Sequence, residues 1–504
     1  VSFVLGLDLG TQSAKAVVYD PQLRVRGRGR AAIATHYPRA GWAEQDPGAW
    51  EVAVGAAIAA ALVDAQVGAR QIAGLGLTGQ LDGMIAVDEA GAPLGPCLPW
   101  LDRRATAAMP ALDDDAVLAL TGQVVDASHL AGKARWWDRH GGGPRAARFH
   151  QPVSYLVERL TGARVLDHGL ASTTLLYDLA GACWSPAQLS AFDLDRARLP
   201  TIADAHARAG TLHARGAAST GLVVGTPVAV GTGDDFATGL GIGLPTGALL
   251  CAIGTAEVVA ARGPITARDL GRLVEVHPEP RGGGLLENPG WAAGGAIAWL
   301  AALTGRDAAA LDAEVAAIGP GADGVTYVPA LGGAMVPVWN PRARGAFVGL
   351  GAGHDAGHLA RAIYEACAVA MTLVGERIAS LGAPCDAIHL VGGGARADTW
   401  AQIRADVAGL PVARWDDPDA CPRGAAMLAW AALDGAGALD AAVALAPPPV
   451  AWSTPDPRVA DRYAAVRAQV LSATAALAPI DEAHTRAEAA VRDASHSPQS
   501  PRSR

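Results

Sequence analysis

Two adjacent carboxylates, Asp234 and Asp235, stand in VAVGTGDDFATGLGIG, where a strand-like run passes through a glycine-rich turn into the start of a helix. Asp is a favoured helix cap and suits the positive end of the helix dipole. A pair exceeds what one cap needs, so one carboxylate could cap while the other faces a cleft. Phosphoryl transfer to an alcohol requires such a group to align the hydroxyl and accept its proton. An Asp with an ordinary pKa of about 3.9 would serve, because proton transfer comes late in a loose transition state. The local sequence leaves cap and catalyst both open. Asp8 ends an apolar run from Phe3 to Leu7, just before a Gly10-Thr11 turn. There it could orient water on Mg2+ while turn N–H groups face phosphate oxygens, or it could cap its own turn.

A second segment, TGALLCAIGTAEVVAARG, repeats that design. Gly254-Thr255 matches Gly10-Thr11, and Ala252 stands where the first copy has Asp8. Two such turns facing each other across a cleft would clamp a polyphosphate. In IHLVGGGARADTWAQIRADVAGLPV a strand leads through Gly392, Gly393 and Gly394 into an amphipathic helix. Missing side chains would let a flat ring or a phosphate approach the backbone; a flexible connection is the alternative. TGQLDGM sets Gln80 and Asp82 between strands, where they could meet sugar hydroxyls or form a surface hairpin. A literal G-x-G-x-x-G occurs at Gly74, Gly76 and Gly79. The residues after it read as another strand rather than a long helix, so a nicotinamide fold is not expected. The sequence has no G-x-x-x-x-G-K-[ST] phosphate loop and no H-E-x-x-H metal motif.

The elements that must position these residues alternate between strands and helices. AWEVAVGAAIAAALVDA and HLARAIYEACAVAMTLVGERIASL have helical apolar spacing, while Gln71 to Leu77, Val228 to Gly231 and Ala387 to Val391 read as strands. Layered α/β structure in both halves follows. A length of 504 residues suits two domains, and the repeated Gly-Thr hairpin points to a duplicated plan. The boundary falls near Leu244 to Gly247, giving an N-terminal domain of 1–245 and a C-terminal domain of 246–477. Residues 478–504 form a polar tail, Ser/Pro/Arg-rich from Asp493, that is predicted to be disordered.

Hydrophobic residues make up 51% and charged residues 18%, a globular balance. A net charge of −9 argues against nucleic acid as a partner. The six cysteines are scattered without metal or disulfide spacing, as expected of a reduced, cytoplasmic protein. The chain runs directly into a strand with no basic-then-apolar leader, and the Ala-rich stretch Ala56 to Val63 reads as too short to span a bilayer. Only Lys15 and Lys133 are lysines among many arginines, which reads as compositional bias.

Taken together, these segments resemble the FGGY carbohydrate kinases, and within them the xylulokinase-like group, from about Phe3 to Leu433. DLGTQSAK looks like the first phosphate segment, GQLDGM like the sugar segment, and PWLDRRA like a W-x-D-x-R segment through Trp100, Asp102 and Arg104. GTGDDFATGLG is similar to the segment holding the catalytic aspartate. AIGTAEVV resembles the second phosphate segment, AAGGAIAWL a nucleotide-side segment, and LVGGGARADTW the adenosine segment. The resemblance implies two actin-like (ribonuclease H-like) ATPase domains with an interdomain cleft, and ATP with Mg2+. It implies Asp234 as catalytic base and Asp8 at the metal. Gly10, Thr11, Gln12, Gly254, Thr255, Gly294, Gly393, Gly394 and Ala395 would lie at the nucleotide. Gln80, Leu81, Asp82, Trp100, Asp102 and Asp235 would lie at the sugar. The expected partner is a small-molecule sugar, with neither nucleic acid nor membrane, and a homodimer as one open assembly.

Three departures bear on the substrate. Asp82 stands where xylulokinases carry a His, Asp235 where they carry an Asn, and Gly333-Ala334-Met335-Val336-Pro337 lacks a charged pair found in many family members. The first two turn hydrogen-bond donors into acceptors. D-xylulose is the first expectation; ribulose, L-xylulose, erythritol and glycerol are alternatives, and a non-catalytic actin-like ATP-binding protein is the rival outside enzymology.

Overall fold

The computed structural model describes residues 2–140, 146–340, 342–435 and 437–496, with side chains as far as 483. Two mixed sheets dominate it. In the first, Phe3–Leu9 is buried along its whole length and pairs antiparallel with Ser13–Tyr19, which pairs antiparallel with Val25–Ala32. On its other side Phe3–Leu9 runs parallel to Ile72–Gly79, which runs parallel to Pro227–Ala229; Arg208–Thr211 closes that edge antiparallel. In the second sheet Ala248–Ile253 pairs antiparallel with Ala256–Gly263, and that strand with Gly284–Ala292. Its other neighbour, Ala387–Gly392, is parallel, as is Val412–Arg414 beyond it; Ala451–Ser453 closes the edge antiparallel. Strand directions therefore follow one plan in both sheets, the duplication that the paired Gly-Thr hairpins suggested.

Two helices lock the halves together. Asp234–Gly241 follows the first sheet and Ala420–Asp434 the second. Glycines set their approach: a Cβ at Gly241 would lie 1.7 Å from the Ala420 carbonyl oxygen, and one at Gly424 2.0 Å from that of Ala237. Ala420–Asp434 lies on the first sheet although it is encoded in the second half. A Cβ at Gly6 would fall 1.9 Å from the Pro422 carbonyl oxygen, and one at Gly76 1.8 Å from that of Ala425. The G-x-G-x-x-G glycines are thus strand residues, with Gly76 giving this helix its seat. Ile242 and Leu244, just past the other helix, pack with Leu250, Val391 and Trp415 of the second half.

Pro47–Ala65 covers the opposite face of the first sheet, where a Cβ at Gly29 would meet the Ala57 carbonyl at 1.9 Å. At 19 residues this helix is longer than the stretch Ala56 to Val63 implied, and it has the length and apolarity of a bilayer span. Here it is a sheet-covering helix that buries Trp50, Ala53, Val54, Ala57, Ile58 and Ala61. In the second half, Arg404 and Glu257, both fully buried, form a two-pronged ion pair that ties helix Asp398–Ala408 to strand Ala256–Gly263. A last helix spans Ala460–His496, so the disorder predicted from residue 478 gives way to helix as far as 496. The Ala-, Glu- and Arg-rich run there favours that state. The Ser/Pro/Arg-rich end, 497–504, lies outside the described residues.

Candidate active site

Three parallel strands of the first sheet end side by side. Asp8 registers with Thr78, Thr78 with Thr232, and Gly79 with both Leu9 and Gly233. The chain leaves each strand at this edge, the usual place for a ligand in such sheets. It thereby brings together Gly10-Thr11, Gln80 to Asp82, and Asp234-Asp235.

Asp8 is 4% exposed and accepts from Lys15 Nζ at 3.3 Å through Oδ2. Burial pushes its pKa up and Lys15 works against it. Its Oδ1 is buried with no hydrogen-bond partner among the described residues. An oxygen left in that state fits a site completed by a hydrated cation. Among the described residues no three His, Cys, Asp or Glu converge to hold a metal by themselves. Mg2+ suits such a site, since it takes one or two carboxylates and draws its other ligands from phosphates and water.

Gly233 occupies the cap position ahead of Asp234, and no side chain caps the helix. Both carboxyls are therefore released from the capping role that the sequence left open. Asp234 is held well above the usual carboxylate range, first by burial, then by the like charges of Asp235 and Asp8. An ordinary pKa was the expectation; burial, reinforced by the crowding of three acids at one sheet edge, is why the structure differs. Asp235 is pushed up to about 6 by burial, while a hydrogen bond with Glu287 of the second sheet works the other way. That contact and the packing of Phe236 and Leu81 on Ala260 and Leu285 place this helix start at the domain seam.

A chain of amides fixes the sugar-segment side. Gln80 Nε2 donates to Gln45 Oε1 at 2.8 Å, and Gln45 Nε2 donates to the Thr11 carbonyl at 2.7 Å. Thr11 Oγ1 accepts from Trp100 Nε1 at 3.1 Å and lies 3.4 Å from Gln80 Oε1. Asp82 takes φ +56° in the turn, and its carboxylate lies 3.4 Å from His129 Nδ1. Lys133 Nζ donates to the Asp82 carbonyl at 2.7 Å. Asp102 departs from the expectation of a sugar contact. It is fully buried, accepting from the Ala43 N–H at 2.7 Å and from Arg104 Nε at 2.8 Å, so it shapes the Trp100 loop and leaves nothing for a ligand.

The second sheet builds the matching cluster. Ile253 registers with Gly392, so the Gly254-Thr255 turn and the triple glycine emerge together. A Cβ at Gly294 would lie 2.1 Å from the Gly254 carbonyl oxygen, and one at Gly394 2.5 Å from Ile253 Cγ2. Gly254, Thr255 and Gly393 are exposed, Gly294 and Gly394 half-buried, and Ala395 buried, so Ala395 could offer a ligand only its backbone. Gln12 is exposed beside the first turn. Two surface hollows of about 500 and 490 Å3 lie elsewhere, around Glu51 and Arg215 and around Arg262 and Gly283.

Sequence reasoning passed over Gln45, His129, Glu275, Glu287 and both lysines. Scarcity was a usable signal: the chain's two lysines stand beside Asp8 and beside Asp82, so the reading as compositional bias is corrected. His129 and the two glutamates carried no local pattern, because they come from segments far along the chain.

Paired, like-ordered sheets, a hairpin clamp on each and a carboxylate pair at the seam define an actin-like, ribonuclease H-like ATPase architecture. The protein belongs to the FGGY family of carbohydrate kinases, whose N-terminal domain matches residues 3–241 and whose C-terminal domain matches 249–433. It is an ATP-dependent sugar kinase, a phosphotransferase with an alcohol as acceptor. It is 33% identical over 469 residues to a glycerol kinase of Bordetella parapertussis, covering 86% of this chain and 91% of that protein. It is 31% identical over 445 residues to a xylulose kinase of Klebsiella pneumoniae, covering 85% and 90% respectively. The solved xylulose kinase of Rhodospirillum rubrum superposes with a TM-score of 0.84 at 30% identity, covering 95% of this chain and all of that one.

Proposed function

We propose that the protein transfers the terminal phosphoryl group of ATP to a primary hydroxyl of a small ketose or polyol, with Asp234 as proton acceptor. The observation that carries this reading is Asp234 itself: uncapped, at the domain seam, at the same strand edge as Asp8 and the first Gly-Thr turn. The acceptor hydroxyl lies between Asp234 and the Gln80–Asp82 turn. Its oxygen forms the new bond to phosphorus, the bond from phosphorus to the bridging oxygen breaks, and the hydroxyl proton passes to Asp234 as ADP departs. A carboxylate held above its ordinary range is the stronger base for that transfer. The N–H groups of Gly10 and Gly254 close their own turns onto the Ser13 and Ala256 carbonyls, so the phosphates are held by the N–H groups that follow, from Thr11 and from Thr255, and adenosine lies against Gly393 and Gly394. Mg2+, held by Asp8, would neutralise phosphate charge. Closure of the halves excludes water and so limits idle hydrolysis.

D-xylulose and glycerol are the leading acceptors, since relatives named for each share about a third of the sequence. Xylulokinase activity is the first reading. Lack of the usual His and Asn, replaced by Asp82 and Asp235, favours testing glycerol and erythritol with it. The deciding experiment is a coupled ADP-release screen over ketoses and polyols. Sugar-stimulated ADP release that needs Mg2+ supports the proposal; ATP binding with no acceptor-stimulated turnover sinks it in favour of a non-catalytic ATP binder. Scattered free thiols and the sheet-buried helix Pro47–Ala65 support a cytoplasmic setting.

A further inference from the structure

Asp234 is held in place by very little. Thr232–Gly233 is a two-residue strand, parallel to Thr78 and Gly79, and Asp234 follows it directly. The Asp234 carboxyl takes a hydrogen bond from its own backbone N–H, so it stands where the chain sets it. Thr232 is fully buried, and its Oγ1 donates to Asp167 Oδ2 at 2.7 Å. Among the described residues no other side chain hydrogen-bonds this strand.

Asp167 ends the strand Val165–Asp167, in register with Ala203 of Thr201–Ala203. It also caps the short helix His168–Ser172: Oδ1 accepts from the Leu170 N–H at 3.0 Å and Oδ2 from the Gly169 N–H at 3.1 Å. Capping accounts for an Asp here but not for its burial. It is 2% exposed, and burial pushes its pKa up to about 7 in spite of three donors. Oδ1 alone would serve as a cap; the bond from Thr232 is what capping does not require. The helix it caps is wedged beside the proposed base. A Cβ at Gly169 would lie 2.9 Å from Asp167 Oδ2 and 3.0 Å from Phe236 Cδ2. At the far end of that helix Ser172 Oγ lies 2.9 Å from His277 Nδ1 of the second sheet, whose ring meets that of Phe236 at 5.3 Å. Asp167 thus belongs to a frame anchored in both halves.

We propose that Asp167 is a positioning residue for phosphoryl transfer: through Thr232 Oγ1 it fixes the strand that presents Asp234 to the acceptor hydroxyl. The proposal rests on the kinase reading above. Transfer depends steeply on the placement of the reacting groups, and a shift of about 1 Å is enough to lower rate by about 10²-fold. Thr232→Val keeps the β-branched shape and deletes the donor, while Asp167 retains its two N–H partners. The strand then loses its tether. The Gln80–Asp82 turn and the two Gly-Thr turns leave other strands, so binding of acceptor and nucleotide is spared.

The test follows ADP release at pH 8, where Asp167 is a carboxylate, with whichever of glycerol, erythritol, ribulose and D-xylulose wild type uses best. Thr232→Val, Thr232→Ser and Asp167→Asn are each made in wild type and in an Asp234→Asn background, and kcat is referred to the folded fraction given by thermal melting. Thr232→Val should lower kcat by about 10- to 10²-fold and leave KM for acceptor and MgATP within about threefold. Thr232→Ser keeps the hydroxyl and should return most of that rate. Asp167→Asn exchanges an acceptor oxygen for a donor; it should lower kcat in the same way, and adding Thr232→Val to it should change little. In the Asp234→Asn background each substitution should lower the residual rate by less than about threefold, because no base is left to aim. A general structural loss would instead be of equal size in both backgrounds. That result, a Thr232→Val kcat within about threefold of wild type, or a loss confined to KM overturns the inference and leaves the kinase standing. Absence of wild-type turnover on every acceptor, with ATP still bound, removes the kinase reading and this inference together.

Discussion

Replacing Asp234 with Asn separates the chemical role of the carboxylate from any structural one. The side chain keeps its size and loses its basicity. Removing a positioned general base lowers rate by about 10²–10⁴-fold, or roughly 2.7–5.4 kcal/mol of transition-state stabilisation at 1.36 kcal/mol per tenfold. The structure predicts little accompanying loss of stability. The helix cap is Gly233, and Thr238 Oγ1 donates to the backbone carbonyl of residue 234 at 2.7 Å, a bond that Asn retains. Removing one acid from beside Asp235 and Asp8 relieves like-charge repulsion, so the melting temperature should hold or rise. Coupled ADP release gives kcat, calorimetric titration with MgATP gives binding, and a thermal melt gives stability. A variant within about threefold of wild-type turnover, a difference below 1 kcal/mol, would refute Asp234 as base. Lost activity together with a lowered melting temperature would refute the charge-crowding account.

Gly76→Val should destabilise the fold by about 1–3 kcal/mol or more, since its Cβ would overlap the Ala425 carbonyl; a urea midpoint measures this. Glu257→Gln leaves Arg404 as an uncompensated buried charge and should lower stability by about 3–5 kcal/mol in the same assay. Burial raises Asp235 to about 6 and Asp167 and Glu275 to about 7 in the folded protein. Folded values above unfolded ones give stability that is complete below the ordinary carboxylate range and lost as pH rises toward 7. The nucleotide-free protein should therefore melt at a lower temperature at pH 7.5 than at pH 5, and Asp167→Asn should flatten that slope. Glu158 behaves oppositely: burial resists its charge, but His150 and Arg148 outweigh that and lower it to about 2, so its contribution fades only as pH falls toward that value.

What the sequence revealed was set by local chain. Apolar strand pairs broken by Gly-Thr fix a hairpin within about a dozen residues, so both phosphate turns and the duplicated plan were readable. Asp8 stood out because it ends an apolar strand just before a glycine turn, and Asp234 because it follows a strand and a glycine turn. Asp102 misled because its motif records only that it is needed; being buried against the Ala43 N–H and Arg104 is a tertiary fact. Gln45, His129 and Glu287 were invisible for the same reason, since their meaning lies in what distant strands and loops bring beside them. Pro47–Ala65 shows the limit of hydropathy, which reports how apolar a helix is without saying whether protein or lipid covers it.

The helix Ala420–Asp434 carries a consequence for biosynthesis. A ribosome releases the strands of the first sheet hundreds of residues before the segment that seats on Gly6 and Gly76. Until then the nascent first half presents a bare apolar groove shaped for a partner still untranslated. A fragment ending near residue 245 should therefore aggregate or recruit chaperones, and adding 420–434 as a separate peptide should restore its solubility.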